Sequence, residues 1–183
     1  MNVSLINSAF STDALKAGRL YLSAFPKIER HPLRQLHAAA RKGRTDYLAF
    51  YDGKKFVGLT YLVVRGDVAL LLYFAVAPKQ RNKGYGAAIL QLLKERYSGK
   101  DLVILIESVY DASDNREIRI RRRDFYLRNG LRDTGLIHTT KDKTANYIIL
   151  NFQETFSRES YEALFQDYPF PSYLTKICPA PNE

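Results

Sequence analysis

Phe74-Ala75-Val76-Ala77-Pro78-Lys79-Gln80-Arg81-Asn82-Lys83-Gly84-Tyr85-Gly86-Ala87 is the stretch whose reading decides the fold. The apolar run Val68 to Ala77 ends at Pro78; apolar at every position, it reads as a central strand covered on both faces. A helix opens at Gly84, because Tyr85, Ala88, Ile89, Leu92, Leu93 and Tyr97 form a helical stripe. Between strand and helix stand glycines that let the backbone approach a ligand closely and turn its N–H groups outward. The first turn of a helix has unpaired N–H donors and a partial positive charge, so a diphosphate is stabilised there. Arg81 and Lys83 add full charges at the same mouth. A dinucleotide fingerprint would want a third glycine where Ile89 stands, and a P-loop would want Gly-Lys-Ser/Thr, which is absent. As a bare pattern, Gly84-x-Gly86 also reads as an ordinary tight loop.

Working outward, Val3 to Asn7 reads as a first strand, and Ser11-Thr12-Asp13 offers the N-cap of a helix that Pro26 stops after Phe25. A second helix runs from Pro32 to Gly43. Tyr47 to Tyr51 and Phe56 to Val64 form a hairpin about Asp52-Gly53-Lys54, and Arg65-Gly66-Asp67 turns into the strand already described. After Ser98-Gly99-Lys100, Leu102 to Ile106 is a buried strand capped by Glu107. A helix from Asp114 to Asn129 ends at Gly130. Leu131 to Thr139 and Asn146 to Phe152 pair about Lys141-Asp142-Lys143; a last helix spans Arg158 to Tyr168, and the Pro-containing tail has no evident fold. The strand–helix–strand passage from Val68 to Ile106 requires a parallel pair with a right-handed crossover. The class is therefore α/β, a central mixed sheet flanked by helices. The expected organisation is a single domain over 1–183, with a core from 3 to 152 and a C-terminal helix and tail from 153 to 183.

The formal charge of +9 over 183 residues gives a surface field that favours anions, whether nucleic acid, a phosphorylated cofactor or an acidic surface. The single cysteine, Cys178, excludes an intramolecular disulfide and a multi-cysteine metal site. No apolar stretch is long enough for a membrane span, and the Met1-Asn2-Val3-Ser4 start lacks the basic and apolar regions of a signal peptide. A cytoplasmic location and no membrane association are the expectations.

The strand ending Phe74-Ala75-Val76-Ala77-Pro78, followed by Gln80-Arg81-x-x-Gly84-x-Gly86-Ala87, resembles the acyl-CoA-binding motif of the GNAT N-acetyltransferases. Arg123-Asp124-Phe125-Tyr126-Leu127-Arg128-Asn129-Gly130-Leu131 resembles that family's F-Y-x-x-x-G-F segment, with Leu131 for the usual Phe. The element order agrees, so the resemblance covers roughly Val3 to Phe152. It implies a splayed pair of strands, Val68–Ala77 and Leu102–Val109, with the pantetheine arm of acetyl-CoA between them. That arm would bond to the backbone about Phe74, Ala75 and Val76, and the diphosphate would sit on Arg81, Asn82, Lys83, Gly84, Tyr85, Gly86 and Ala87. Many relatives carry Asn where Arg119 stands, and a strand glutamate in the neighbourhood of Leu71 and Leu72.

An amine attacking a thioester needs a neutral nucleophile, a stabilised oxyanion and a proton for the departing thiolate. A thiol near pKa ~8.5 and a tyrosine near ~10 suit the last step. The resemblance points Tyr126 at the sulfur, with Phe125 expected to turn to the core beside Ile118; a half-buried packing tyrosine is the plain alternative. Glu107, on the strand face of Val103 and Leu105, could take the amine's proton directly or through water, or could simply face solvent. Glu29, between the first two helices, is a further carboxylate in the region where relatives bind acceptors. His31, His37 and His138 lack ligand spacing, and no metal site is expected.

Arg116, Arg119 and Arg123 fall on one face of their helix and could contact phosphates, with nucleic acid as the rival partner. A solvated basic edge whose stems cover apolar surface is the plain reading. The function expected is N-acetyl transfer from acetyl-CoA to a primary amine of a small molecule or peptide, by direct attack and without metal; a homodimer is open. The alternatives are a nucleic-acid or anionic-partner binding module, and a CoA-binding domain that has lost catalysis.

Overall fold

The computed structural model describes residues 1–111, 113–140, 146–170 and 174–181. Its strands are β1 (Asn2–Leu5), β2 (Thr45–Asp52), β3 (Lys55–Arg65), β4 (Val68–Val76), β5 (Asp101–Glu107), β6 (Arg132–Thr140), β7 (Asn146–Asn151) and β8 (Leu174–Pro179). The helices are α1 (Thr12–Ala24), α2 (Leu33–Arg41), α3 (Tyr85–Arg96), α4 (Arg116–Arg128) and α5 (Arg158–Gln166), with short 3-10 turns at Lys27–Glu29 and Pro78–Gln80. The strands form one mixed sheet in the order β1-β2-β3-β4-β5-β7-β6-β8.

Two apolar layers cover the sheet. On one face Ala14, Ala17 and Tyr21 of α1, Leu36 of α2 and Tyr161 and Leu164 of α5 pack with Tyr61, Leu70 and Val103. On the other, Ile89, Leu90 and Leu93 of α3 and Tyr126 of α4 pack with Leu62, Leu71 and Ile104. Alternate residues of β3, β4 and β5 thus serve opposite cores, as the period of a strand requires. α1 begins where the sequence places it: the Ser11 side chain accepts the Ala14 N–H at 3.1 Å. Asp13 then ties α1 to the sheet, accepting from Ser4 Oγ and the Tyr51 hydroxyl, each at 2.5 Å.

The expected parallel pair is present, and it is short. β4 pairs with β5 only from Val68↔Asp101 to Leu71↔Ile104. There the register of β3 against β4 jumps from Tyr61↔Tyr73 to Leu62↔Leu71, leaving Leu72 as a bulge. A bulge bends its strand and raises local twist, so β4 leaves β5 at that residue. Beyond it β4 continues to Val76 against β3, and β5 to Glu107 against β7. This opens the splayed cleft.

Three sequence expectations need correction. The tail is not structureless: β8 adds an antiparallel edge strand on β6, pairing Ile137 with Cys178 and His138 with Ile177. β4 is buried on both faces only up to Leu71; from Leu72 the burial alternates because the cleft uncovers one side. On α4, Tyr126 is the buried residue and Ile118 is 51% exposed, so Phe125 and Ile118 do not form the core-facing pair. The turn expected at Lys141-Asp142-Lys143 lies outside the described residues.

Candidate active site

The glycine turn closes the mouth of the cleft. Asn82 and Gly84 both adopt positive φ, at 59° and 79°, and Gly84 is the N-cap of α3. This alternation turns successive peptide N–H groups to one side. The first α3 hydrogen bond is donated by Ala88 to the Gly84 carbonyl at 3.1 Å. Among the described residues, the N–H groups of Asn82, Lys83, Gly84, Tyr85, Gly86 and Ala87 find no acceptor. Six consecutive free donors at a helix N-terminus suit a phosphate group.

The side chains of the turn are partly committed. Arg81 Nε donates to the Val76 carbonyl at 3.3 Å, and Lys83 Nζ folds back on the Lys79 carbonyl at 2.7 Å. Tyr85 donates its hydroxyl to Asp52 Oδ2 at 2.6 Å, fastening the turn to the β2–β3 hairpin. The two glycines differ. A side chain at Gly84 would meet nothing within 4 Å, whereas a Cβ at Gly86 would lie 3.0 Å from Phe125 Cζ. Gly84 serves the backbone conformation and open approach; Gly86 receives the Phe125 ring. From Leu72 to Val76 the β4 edge facing β5 has no strand partner among the described residues, so the Phe74, Ala75 and Val76 backbone borders the open cleft.

Tyr126 lies on α4 with its ring edge-on to Phe125, the centroids 5.3 Å apart. Burial raises its hydroxyl to about 12, and the nearby Arg122 charge opposes the rise. The hydroxyl forms no hydrogen bond among the described residues, so its proton has no competing acceptor there. Glu107, at the end of β5, neither faces solvent freely nor stands alone: Oε1 accepts from Arg119 Nη2 at 3.1 Å and Oε2 from Arg122 Nη1 at 2.8 Å.

That clamp also accounts for the arginine helix. Arg119 Nη1 donates to the Ser108 carbonyl at 2.9 Å and Arg116 Nε to the Val109 carbonyl at 3.1 Å. Arg123 pairs with Asp133 at 3.2 Å. The three arginines of the expected phosphate-contacting face therefore fasten α4 to the end of β5 and to β6; Arg119 and Arg123 are half-buried there, while Arg116 stays exposed. Fastening of this kind left no periodic signal in the sequence, because the carbonyl partners can be any residue. Histidine is likewise structural in one case: His138 Nδ1 and the Tyr161 hydroxyl lie 2.7 Å apart, and burial lowers the imidazole to about 4. Among the described residues no three His, Cys, Asp or Glu side chains group as they would to hold a metal, and no helix is long and apolar enough to cross a membrane.

A strand bulge, a splayed parallel pair and a row of free amides at the following helix define an acyl-CoA transferase architecture, and comparison with known proteins agrees. The sequence model of the Acetyltransferase (GNAT) family matches residues 15–128, and the chain belongs to that family. A GNAT-family protein of Bacteroides thetaiotaomicron superposes with TM-score 0.73 at 19% identity, over 91% of this chain and 95% of that one. An aminoglycoside 6'-N-acetyltransferase complexed with coenzyme A gives TM-score 0.67 at 12% identity, over 86% and 100%. A GNAT family acetyltransferase from Elizabethkingia anophelis with acetyl-CoA bound gives 0.57 at 16% identity, over 83% and 97%. At these identities the likeness is one of fold. No curated protein matches the sequence.

Proposed function

We propose that the protein is an N-acetyltransferase that moves an acetyl group from acetyl-CoA to a primary amine of a small molecule or peptide, by direct attack. The observation that carries this reading is the row of six acceptor-free amides, Asn82 to Ala87, at the mouth of the cleft where β4 parts from β5. The diphosphate is held by those amides with Arg81 and Lys83, and the pantetheine arm runs along Phe74, Ala75 and Val76. Residues 1–183 act as one catalytic unit in a reducing, cytoplasmic setting.

The acceptor nitrogen forms a C–N bond to the acyl carbonyl carbon, the C–S bond breaks, and the thiolate takes a proton from Tyr126. The proton lost by nitrogen passes to a water beside Glu107, whose carboxylate Arg119 and Arg122 orient. Tyr126 is reprotonated from solvent, which balances the proton that nitrogen gave up, so the net products are amide and free coenzyme A. Direct attack calls on no metal.

Acetyl-CoA offered with a panel of primary amines, including peptides with free N-termini, tests the reading by thiol release. Amine-dependent release is expected. Thermal stabilisation by acetyl-CoA without release to any amine would instead mark a CoA-binding domain without catalysis. Neither stabilisation nor release would refute the assignment.

A further inference from the structure

Among the described residues, the large apolar side chains standing furthest into solvent are Phe10 and Ile28, at 94% and 89% exposure. They bracket α1. Leu15 and Leu22, each at least half exposed, lie between them on one face of the helix, two turns apart. Phe10 precedes the Ser11 cap and Leu15 follows one turn later, the spacing that brings two apolar side chains to the same side of a helix start. At the other end Arg30 Nη1 donates to the Leu22 carbonyl at 2.9 Å, which folds the Lys27–Glu29 turn back on α1. The Tyr73 hydroxyl donates to the Glu29 carbonyl at 2.8 Å and accepts the His31 N–H at 3.2 Å, so the turn that presents Ile28 is seated on β4. The fold itself holds this row outward.

The charge of the same surface is basic. Between residues 10 and 44 eight Lys and Arg stand against Asp13 and Glu29, so this segment carries +6 of the net +9. Asp13 is taken by Ser4 and Tyr51, and Glu29 is exposed between Lys27 and Arg30. Lys16 and Arg19 are exposed on α1 between Leu15 and Leu22, and Lys27 adjoins Ile28; none of the three makes an ion pair among the described residues. A Cβ at Gly18 would lie 3.5 Å from Leu33 Cδ1, so the glycine lets α2 lie close and add the exposed Arg34. Apolar tips interleaved with cations compose a helix that lies in the plane of an anionic membrane. A folded partner would anchor a few side chains in shaped pockets. Here the side chains protrude nearly whole, and a fluid acyl layer takes such tips one at a time. Nucleic acid would meet the cations, but Leu15, Leu22 and Ile28 offer its bases no stacking platform.

We propose that α1 and the turn after it dock the protein on an anionic lipid surface. Phe10, Leu15, Leu22 and Ile28 enter the headgroup boundary, while Lys16, Arg19 and Lys27 pair with lipid phosphates. The opposite side of α1 is already buried on the sheet through Ala14, Ala17 and Tyr21, so docking orders no new segment. The want of a long apolar helix bears on spanning a membrane; a helix lying on one spans nothing. This surface association stands independently of the acetyl-transfer reading.

Sedimentation with phosphatidylcholine vesicles, with and without phosphatidylglycerol, tests the proposal. The protein should pellet with the anionic vesicles and stay in solution with the neutral ones, and added salt should release it. Phe10→Ser with Ile28→Ser should lower the partition at least about tenfold. Arg19→Gln and Lys27→Gln should each lower it about fivefold. Arg121→Gln with Arg128→Gln removes the same charge from α4 and should leave it nearly unchanged. All these side chains are exposed, so thermal stability should hold in every variant. The chain has no Trp, so Phe10→Trp supplies a lone reporter whose emission should move to the blue with anionic vesicles alone. No pelleting with anionic vesicles, equal losses from the α1 and α4 charge pairs, or an unmoved Trp emission would overturn the proposal. Poly-glutamate bound through the same side chains, with vesicles left unbound, would overturn it in favour of an acidic protein partner.

Discussion

Tyr126 is the residue on which burial and chemistry meet. With its hydroxyl raised to about 12, it keeps its proton throughout the neutral range. A raised value means that the protonated form persists until pH approaches that figure, so no alkaline loss of turnover below about pH 10 should trace to this residue. Tyr126→Phe keeps the ring against Phe125 and removes the proton; single-turnover transfer should fall about 10²–10⁴-fold with acetyl-CoA affinity unchanged. Full transfer by the variant would leave Tyr126 as packing alone. Glu107→Gln should both slow turnover and lower stability, by about 1–3 kcal/mol, because Arg119, only 15% exposed at its side chain, loses a charged acceptor. Wild-type rate with lowered thermal stability would make Glu107 a fastener of α4 and nothing more.

At the scale of elements, the turn and helix α3 separate two glycines that look alike in the sequence. Gly84→Val places a branched side chain at φ 79° in open space, where the ligand approaches. It should fold with a backbone cost of about 1–2 kcal/mol and weaken acetyl-CoA binding at least tenfold by calorimetry. Gly86→Val instead meets Phe125, at 3.0 Å from the first added carbon, and should show chiefly a stability loss of about 1–3 kcal/mol in denaturant. Equal binding losses with equal stability in the two variants would contradict this division. Helix α1 offers a test by pH. The Ser4 and Tyr51 hydrogen bonds, in that order, hold Asp13 below its ordinary value. The unfolded chain then takes up the proton first on acidification, so the contribution of Asp13 is present above the ordinary carboxylate range and fades as pH falls through the lowered value. Asp13→Asn should therefore cost about 1 kcal/mol at pH 7 and progressively less toward pH 2, measured by urea unfolding.

Across the whole molecule, what was legible in the sequence was local and periodic. The 2-residue alternation of strands, the α3 stripe, the Ser11 cap and the glycine turn each state themselves within a short window. The bulge at Leu72 does not, because it is a register slip between two strands that both read as continuous apolar runs. β8 was missed for a related reason: its residues follow a Pro-containing stretch, and their strand character comes from the β6 edge they join. The candidate site divides the same way. The amide row was readable from glycines and neighbouring charge, whereas the clamp of Glu107 by Arg119 and Arg122 depends on contacts far apart in sequence. Arg121 and Arg128, whose side chains have no partner among the described residues, remain the free cations of α4. Titration of isotope-labelled protein with acetyl-CoA, followed by backbone amide NMR, reads the diphosphate turn residue by residue. The largest shifts should fall on the Asn82 to Ala87 amides; shifts confined to α4 around Arg121 and Arg128, with the turn unmoved, would contradict binding at the turn.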